Sequence, residues 1–224
     1  MVARRTKEEA LATRHRLLDA AELLFQAQGV SQTSLQQIAQ QAGATRGAIY
    51  WHFKDKADLF NAMMERVILP LEAGPRAAAE AAGSEDDPLA EIEEGMVHAL
   101  TLMTTDAQVR RVFDVATHKV EYTHDMASVQ QRHLAARNAC VTDFEKALRL
   151  AARRSQIKLP VPGHVAAQGL HALISGLIQN WLLDPAAFDL VPTGRRTFRV
   201  YLAGLGFERN SNAGTGNEVE TVAA

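Results

Sequence analysis

The 224-residue chain is predicted to be all-α, with a three-helix N-terminal head on a larger helical body and about nine helices in all. Three observations carry that prediction. Apolar residues recur at three- and four-residue spacing from residue 7 to beyond residue 200, and no stretch shows the two-residue alternation of a strand. Residues that start and stop helices stand at the ends of those periodic runs. Hydrophobic residues make up 47% of the chain, ample for a buried core, and no internal repeat interrupts the pattern.

The first helix is expected over residues 7–28, with Leu17, Ala21, Leu24 and Phe25 at helical spacing and Gly29 as its stop. A short second helix follows from 34 to 42. Thr33 is a good N-cap, Gln36 completes a capping box, and Leu35, Ile38, Ala39 and Ala42 share one face. Gly43 stands where a residue tolerant of the left-handed conformation is needed, and Thr45 caps a third helix from Arg46 to Phe53. A turn this short makes the two helices cross steeply, as in a helix-turn-helix.

Ile49 and Phe53, four apart, pack inward on the third helix, leaving Thr45, Arg46, Gly47, Tyr50 and Trp51 facing away. The helix start offers free N–H groups to a phosphate, Arg46 suits a guanine edge, and small Gly47 lets the helix approach the bases. Tyr50, His52, Lys54 and Lys56 suit contacts to the DNA backbone, and Thr33 completes the candidate DNA-binding set. An exposed Tyr-Trp-His run is an odd choice for a merely solvated helical hairpin.

A fourth helix begins near Lys56 and carries Leu59, Phe60, Met63, Val67 and Leu71; Pro70 must kink or interrupt it. The stretch 83–88 reads as a surface loop, with Pro88 in the first turn of the next helix. Further helices are expected at 88–104, 106–118, 124–155, 163–183 and 194–206, with the Pro-Val-Pro-Gly run ending at Gly163 as the break before the last pair. The domains are then 1–55 for the head and 56–208 for the body, and the small, polar residues 209–224 form a tail expected to be disordered.

The net charge of −2 becomes informative once divided along the chain. Residues 1–56, the head with the first residue of the fourth helix, hold eight Lys or Arg against five acids, so this segment carries +3 and the remainder −5. A basic head on an acidic body suggests that double-stranded DNA meets the head alone. The single cysteine, Cys140, allows neither an intrachain disulfide nor a cysteine-based zinc site and fits a reducing cytoplasm. No apolar run reaches membrane-spanning length, and Glu8 and Glu9 stand where a signal-peptide core would begin, so a cytoplasmic protein without a membrane partner is expected.

An enzyme is the main rival class. Glu121 and His124 have Glu-x-x-His spacing, but carboxylate-bridged metal sites need a second such pair, which the sequence lacks. Cys140 without a resolving partner is a small core residue more often than a redox sensor. There is no Gly-rich phosphate loop and no nucleophile elbow, so neither catalysis, metal nor cofactor is expected. A nonspecific DNA binder would not need the long body.

Residues 33–56, centred on 44–56, resemble the DNA-binding domain of the TetR family of bacterial transcriptional repressors, and within it the AcrR/TtgR-like subgroup that guards multidrug efflux operons. The resemblance is dense over residues 3–65, thin beyond, and returns at 117–123 and 176–185. It implies a dimeric repressor that binds a palindromic operator and is released by a small amphipathic or aromatic ligand, with the fourth helix coupling head to body. Leu170, Leu173, Ile174, Leu177, Ile178 and Trp181 form a core stripe on the 163–183 helix, whereas Gly169, Ala172 and Gly176 permit close approach on another side. With Phe198, Tyr201, Leu202 and Leu205 of the last helix, these small residues look like the family's four-helix dimer interface, ordinary intrachain packing being the alternative. Gln168, His171, Ser175 and Gln179 make a polar line on the same helix that faces either solvent or a cavity. The helices used by similar repressors add Met96, Leu100, Met103, Phe113, Thr117, Cys140 and Phe144 as candidate ligand-pocket walls, methionine favouring permissive recognition.

Overall fold

The computed structural model describes residues 2–67 and 87–207, with side chains from residue 7 onward. Among these residues every regular element is helical. They are α1 (Val2–Gln28), α2 (Leu35–Gln41), α3 (Arg46–His52), α4 (from residue 56, described to 67), α5 (Pro88–Thr105), α6 (Ala107–His118), α7 (Ala127–Arg154), α8 (Gly163–Leu183) and α9 (Leu190–Gly204). Pro70, Leu71, residues 83–86 and the expected tail at 209–224 lie outside the described residues.

Local chemistry explains the head. α1 stops where Gly29 turns to φ 87°, and the chain re-enters a helix only after Thr33. Ser34, not Thr33, is the N-cap of α2: its hydroxyl accepts from the Gln37 N–H (3.2 Å) while the Gln37 side chain accepts from the Ser34 N–H (2.8 Å). The capping box is therefore one residue later than the Thr33/Gln36 pair expected from sequence. Thr33 is fully buried, donates to the Gly29 carbonyl (2.7 Å) and accepts from the Gln28 amide (3.1 Å). The carbonyl stranded by the end of α1 needs a donor, and Thr33 supplies it. Gly43, at φ 62°, makes the turn, and the Thr45 hydroxyl accepts from the Ala48 N–H (3.1 Å) to cap α3. Leu35, Ile38, Ala39, Ile49 and Phe53 close a small core with Leu17, Leu18, Ala21 and Phe25 of α1.

In the body Asp87 caps α5 through the Leu89 N–H (2.9 Å), with Pro88 in the first turn. Asp106 caps α6 through the N–H groups of Gln108 and Val109. α7 begins later than expected because His124–Met126 form a separate 3₁₀ turn. α9 begins earlier, at Leu190, because Pro192 sits in the first turn, where a missing N–H costs no helical bond.

α5 packs against α9, and Leu100 lies directly over Gly194, where a larger residue would collide with it. Tyr201 lies against Gly169 in the same way and donates to the Ala166 carbonyl (2.7 Å), so α8 and α9 pair closely within the chain. Arg199 of α9 is bridged to the buried Glu93 of α5 (2.8 Å).

Head and body meet along α1, α4 and α6. Arg66 of α4 reaches Asp19 (2.8 Å) and Glu22 (3.1 Å) of α1, and Gln108 of α6 donates to the same Glu22 (2.9 Å). The Val30 N–H donates to the Lys119 carbonyl at the end of α6 (2.9 Å). Burial raises the Glu22 pKa, partly offset by the hydrogen bond from Gln108 and the charge of Arg66.

Candidate functional site

Two regions combine chemistry with access: the outer face of α3 and a cavity in the body. On α3 the inward Ile49 and Phe53 are buried, which turns Thr45, Arg46, Gly47, Tyr50 and Trp51 outward, with Lys54 exposed just beyond. Tyr50 is 51% and Trp51 74% exposed, so two large aromatic rings face solvent beside a basic cluster. That is a poor solvated surface and a good one for phosphates and base edges. Arg46 lies 5.9 Å over the Tyr50 ring, which holds the guanidinium near the helix start. The space beside Gly47 is open apart from the Thr45 hydroxyl.

Two other residues of the expected DNA set are placed differently. Thr33 is buried in the cap of α1, out of reach of any groove. Lys56 points inward, its ammonium donating to the carbonyls of Val30 (2.8 Å) and Ser31 (3.3 Å), so it braces the loop after α1. The start of α4 is close enough to that loop for a lysine to span the gap, which sequence spacing could not reveal. His52 is half-buried against the edge of Trp51 (4.6 Å between ring centroids), and burial, then the charge of Arg14, lowers its pKa. Arg14, which caps the Phe53 ring at 5.3 Å, brings a further cation beside this face that only the basic N-terminal cluster hinted at.

The cavity encloses about 1030 Å³ between α4, α6, α7 and α8. Phe113, Thr117, Cys140, His171, Ser175 and Gln179 all border it, as a wall of mixed polarity. Met96, Leu100, Met103 and Phe144 do not: all are buried in the core, Leu100 against Gly194 of α9. The helices that similar repressors use suggest them, and the choice of helix does not say which of its faces stays open. Sequence reasoning missed the apolar floor from α4, Phe60 and Met64, and the face of α7 that carries Val129, His133, Ala136 and Arg137. Those α7 positions recur at three- and four-residue spacing, a signal that was present in the sequence.

The wall is charged as well as apolar. Arg132 pairs with Glu65 (2.7 Å) and Lys146 with Asp143 (3.1 Å), whereas Arg137 donates to the neutral Gln168 (2.7 Å) and Asn138 (3.0 Å) side chains. Tyr122 bonds His133 (3.1 Å), and His171 lies 3.4 Å from the Ser175 hydroxyl. Burial, then the charges of Arg137 and His133, lower the pKa of His171 and favour its neutral form.

The expected dimer residues divide. Phe198, Leu202 and Leu205 are buried within the chain, and Gly169 accommodates Tyr201 of the same chain. Ala172 is exposed and the Gly176 flank open, beside a surface groove of about 530 Å³ lined also by Leu173, Leu177, Phe188 and Thr193. Leu183 (69%) and Val200 (73%) expose apolar side chains on these two helices. No helix among the described residues is long and apolar enough to cross a membrane.

Comparison with known proteins agrees with this geometry. Residues 17–63 match the model of the bacterial regulatory proteins of the tetR family, and residues 87–207 match the C-terminal region of MAATS-type transcriptional repressors. The HTH-type transcriptional regulator AcrR of Shigella flexneri is 40% identical over 90% of this chain and 93% of its own. NalD, the secondary repressor of the MexAB-OprM multidrug efflux pump in Pseudomonas aeruginosa, superposes with a TM-score of 0.78 at 36% identity, over 88% of this chain and 98% of NalD. A complex of SmeT, the Stenotrophomonas maltophilia SmeDEF pump repressor, with triclosan has a TM-score of 0.74 at 29% identity, over 92% of this chain and all of that one. Because the matches span head and body alike, and the head carries the outward α3 within the matched residues 17–63, the chain belongs to the TetR family of transcriptional regulators.

Proposed function

We propose that the protein is a ligand-responsive repressor that binds a palindromic operator as a homodimer, is released by a small amphipathic or aromatic molecule, and controls a multidrug efflux operon. One observation carries the mechanism: two of the helices that wall the cavity, α4 and α6, also hold the head. Phe60, Asn61, Met64 and Glu65 of α4 border the cavity, and the next residue, Arg66, is bonded to Asp19 and Glu22 of α1. Phe113, Ala116 and Thr117 of α6 border it too, and Gln108 and Lys119 of that helix are bonded to Glu22 and Val30. A ligand that fits a different spacing of α4 and α6 therefore acts on α1 through rigid, short connections.

In this reading the head, residues 1–55, reads DNA through Thr45, Arg46, Gly47, Tyr50, Trp51 and Lys54, and residues 56–208 bind ligand and dimerise. Two heads address successive major grooves about 34–36 Å apart, so a change in head separation weakens operator binding. The open faces of Ala172, Gly176, Leu183 and Val200 support a partner at α8 and α9. The chemistry is binding, not catalysis, and its place is the cytoplasm, where the operator is. A ligand that lowers operator affinity a hundredfold needs about 2.7 kcal/mol of preference for the DNA-incompetent form, within the usual range of allosteric coupling.

The support from relatives is direct: NalD and SmeT are efflux-pump repressors by description, and SmeT has been solved with triclosan bound. The test is fluorescence anisotropy on DNA from immediately upstream of the gene and its neighbours, against scrambled DNA at physiological salt. Tight, competitor-resistant binding reversed by an amphipathic compound is expected. Affinity that is equal for both DNAs and strongly salt-dependent would mean a nonspecific binder instead.

A further inference from the structure

The cavity holds five strongly charged side chains, and four of them neutralise one another. Glu65 is bridged to Arg132 and Asp143 to Lys146, so neither carboxylate is available to a cationic ligand without breaking an ion pair. Arg137 remains. Its two hydrogen-bond acceptors, the side chains of Gln168 and Asn138, are neutral, and among the described residues no carboxylate reaches it. A guanidinium has five N–H donors, so several stay available beyond those two bonds.

The surroundings of Arg137 share its sign. His133 and His171 border the same cavity, and the charges of Arg137 and His133 both oppose protonation of His171. The Ser175 hydroxyl, next to His171, adds a group that can donate. The rest of the lining includes Phe60, Met64, Phe113 and Ile178, which are apolar or aromatic. A half-enclosed apolar cavity with one uncompensated cation attracts a ligand that brings the missing charge together with apolar surface.

We propose that the effector is an amphipathic anion, an aromatic or apolar body carrying a carboxylate or ionised phenol, and that Arg137 binds this group with His171 and Ser175 beside it. This rests on the cavity being the effector site. Charge selection then comes from Arg137 alone, while the apolar wall supplies affinity with little shape selectivity. A fixed guanidinium suits either anion, since both can accept from two of its N–H groups.

The test uses three fluorescent probes that differ only in the terminal group: 1-pyrenebutyrate, 1-pyrenebutanol and 1-pyrenebutylamine, titrated against the full chain at neutral pH. The butyrate should bind about tenfold more tightly than the amine, with the alcohol between them. Arg137→Gln should remove that preference and Arg137→Lys should keep most of it. Ala136→Trp from α7 and, independently, Ser175→Trp from α8 each put an indole ring into the cavity beside the groups assigned to the anion, and should abolish binding of all three probes. If the tryptophan variants abolish binding but the butyrate has no advantage, or keeps its advantage in Arg137→Gln, the assignment of an anionic effector is overturned and the effector site survives. If no probe binds, or the tryptophan variants bind as well as the parent, the effector site itself is wrong and the anion assignment falls with it.

Discussion

Arg46 and Tyr50 carry no structural duty that would explain their exposure. Both face solvent, and their ring-and-guanidinium contact is the main interaction they make. Arg46→Ala or Tyr50→Ala should therefore leave the thermal unfolding of the protein unchanged and abolish specific operator binding; unaltered operator affinity in both would remove the assignment of α3 as the reading element. Glu22 is the opposite kind of residue, a buried carboxylate whose importance lies inside the fold. Its raised pKa means that the native state keeps a proton which the unfolded chain, with an ordinary value of 4.5, has released. Stability from this group is thus lost as pH rises from 4.5 through the folded-state pKa. Glu22→Gln keeps an acceptor for Gln108 and removes the titration. Melting temperatures measured across that window should show the variant gaining on the parent as pH rises, and parallel curves would mean that Glu22 titrates normally.

At the scale of the element, the cap of α3 at Thr45 was readable to the residue, whereas that of α2 lies one residue later than expected. Thr33 and Ser34 are adjacent, and each has Gln three residues later, so the sequence offered two equivalent capping boxes. Ser34 caps because Thr33 is committed to the carbonyl at the end of α1. Ser34→Ala should cost about 1 kcal/mol of stability, and Gln36→Ala close to none, by chemical denaturation; the reverse order would restore the earlier register. The same limit explains the pocket. Met96, Leu100 and Met103 recur at three- and four-residue spacing on α5 but are buried in the core, Leu100 against Gly194 of α9, and do not reach the cavity. The α7 stripe through Val129, Ala136 and Cys140 has the same periodicity and borders open space, because α4, α6 and α8 leave a gap there.

For the whole molecule, the expected dimer surface mixed two kinds of position. Phe198 is a core residue, and Phe198→Ala should cost about 3–5 kcal/mol and compromise the fold. Ala172 is exposed, and sequence reasoning left out Leu183 and Val200, exposed apolar side chains of α8 and α9; the double variant Leu183→Glu/Val200→Glu should remain folded, sediment as a monomer and lose at least a hundredfold in operator affinity. A dimer that persists in that variant would place the partner elsewhere. Residues 1–56 at +3 and a remainder at −5 favour phosphate contact through the N-terminal segment over the body.

The sequence by itself determined the helices, the turn at Gly43, the inward Ile49 and Phe53, and the outward face of α3. All of these depend on caps, glycine backbone freedom and side-chain periodicity, which act within about one helical turn. It also carried the family, through residues 33–56. Tertiary structure alone decided that Lys56 braces the loop after α1, that Gly169 receives Tyr201, and which inward faces meet a neighbour or an empty cavity. Those outcomes join residues 25 or more positions apart, as Lys56 with Ser31 and Glu22 with Gln108 illustrate. The reason is physical: an apolar stripe has the same local pattern whether it faces another helix or a void, and only the placement of distant helices distinguishes the two.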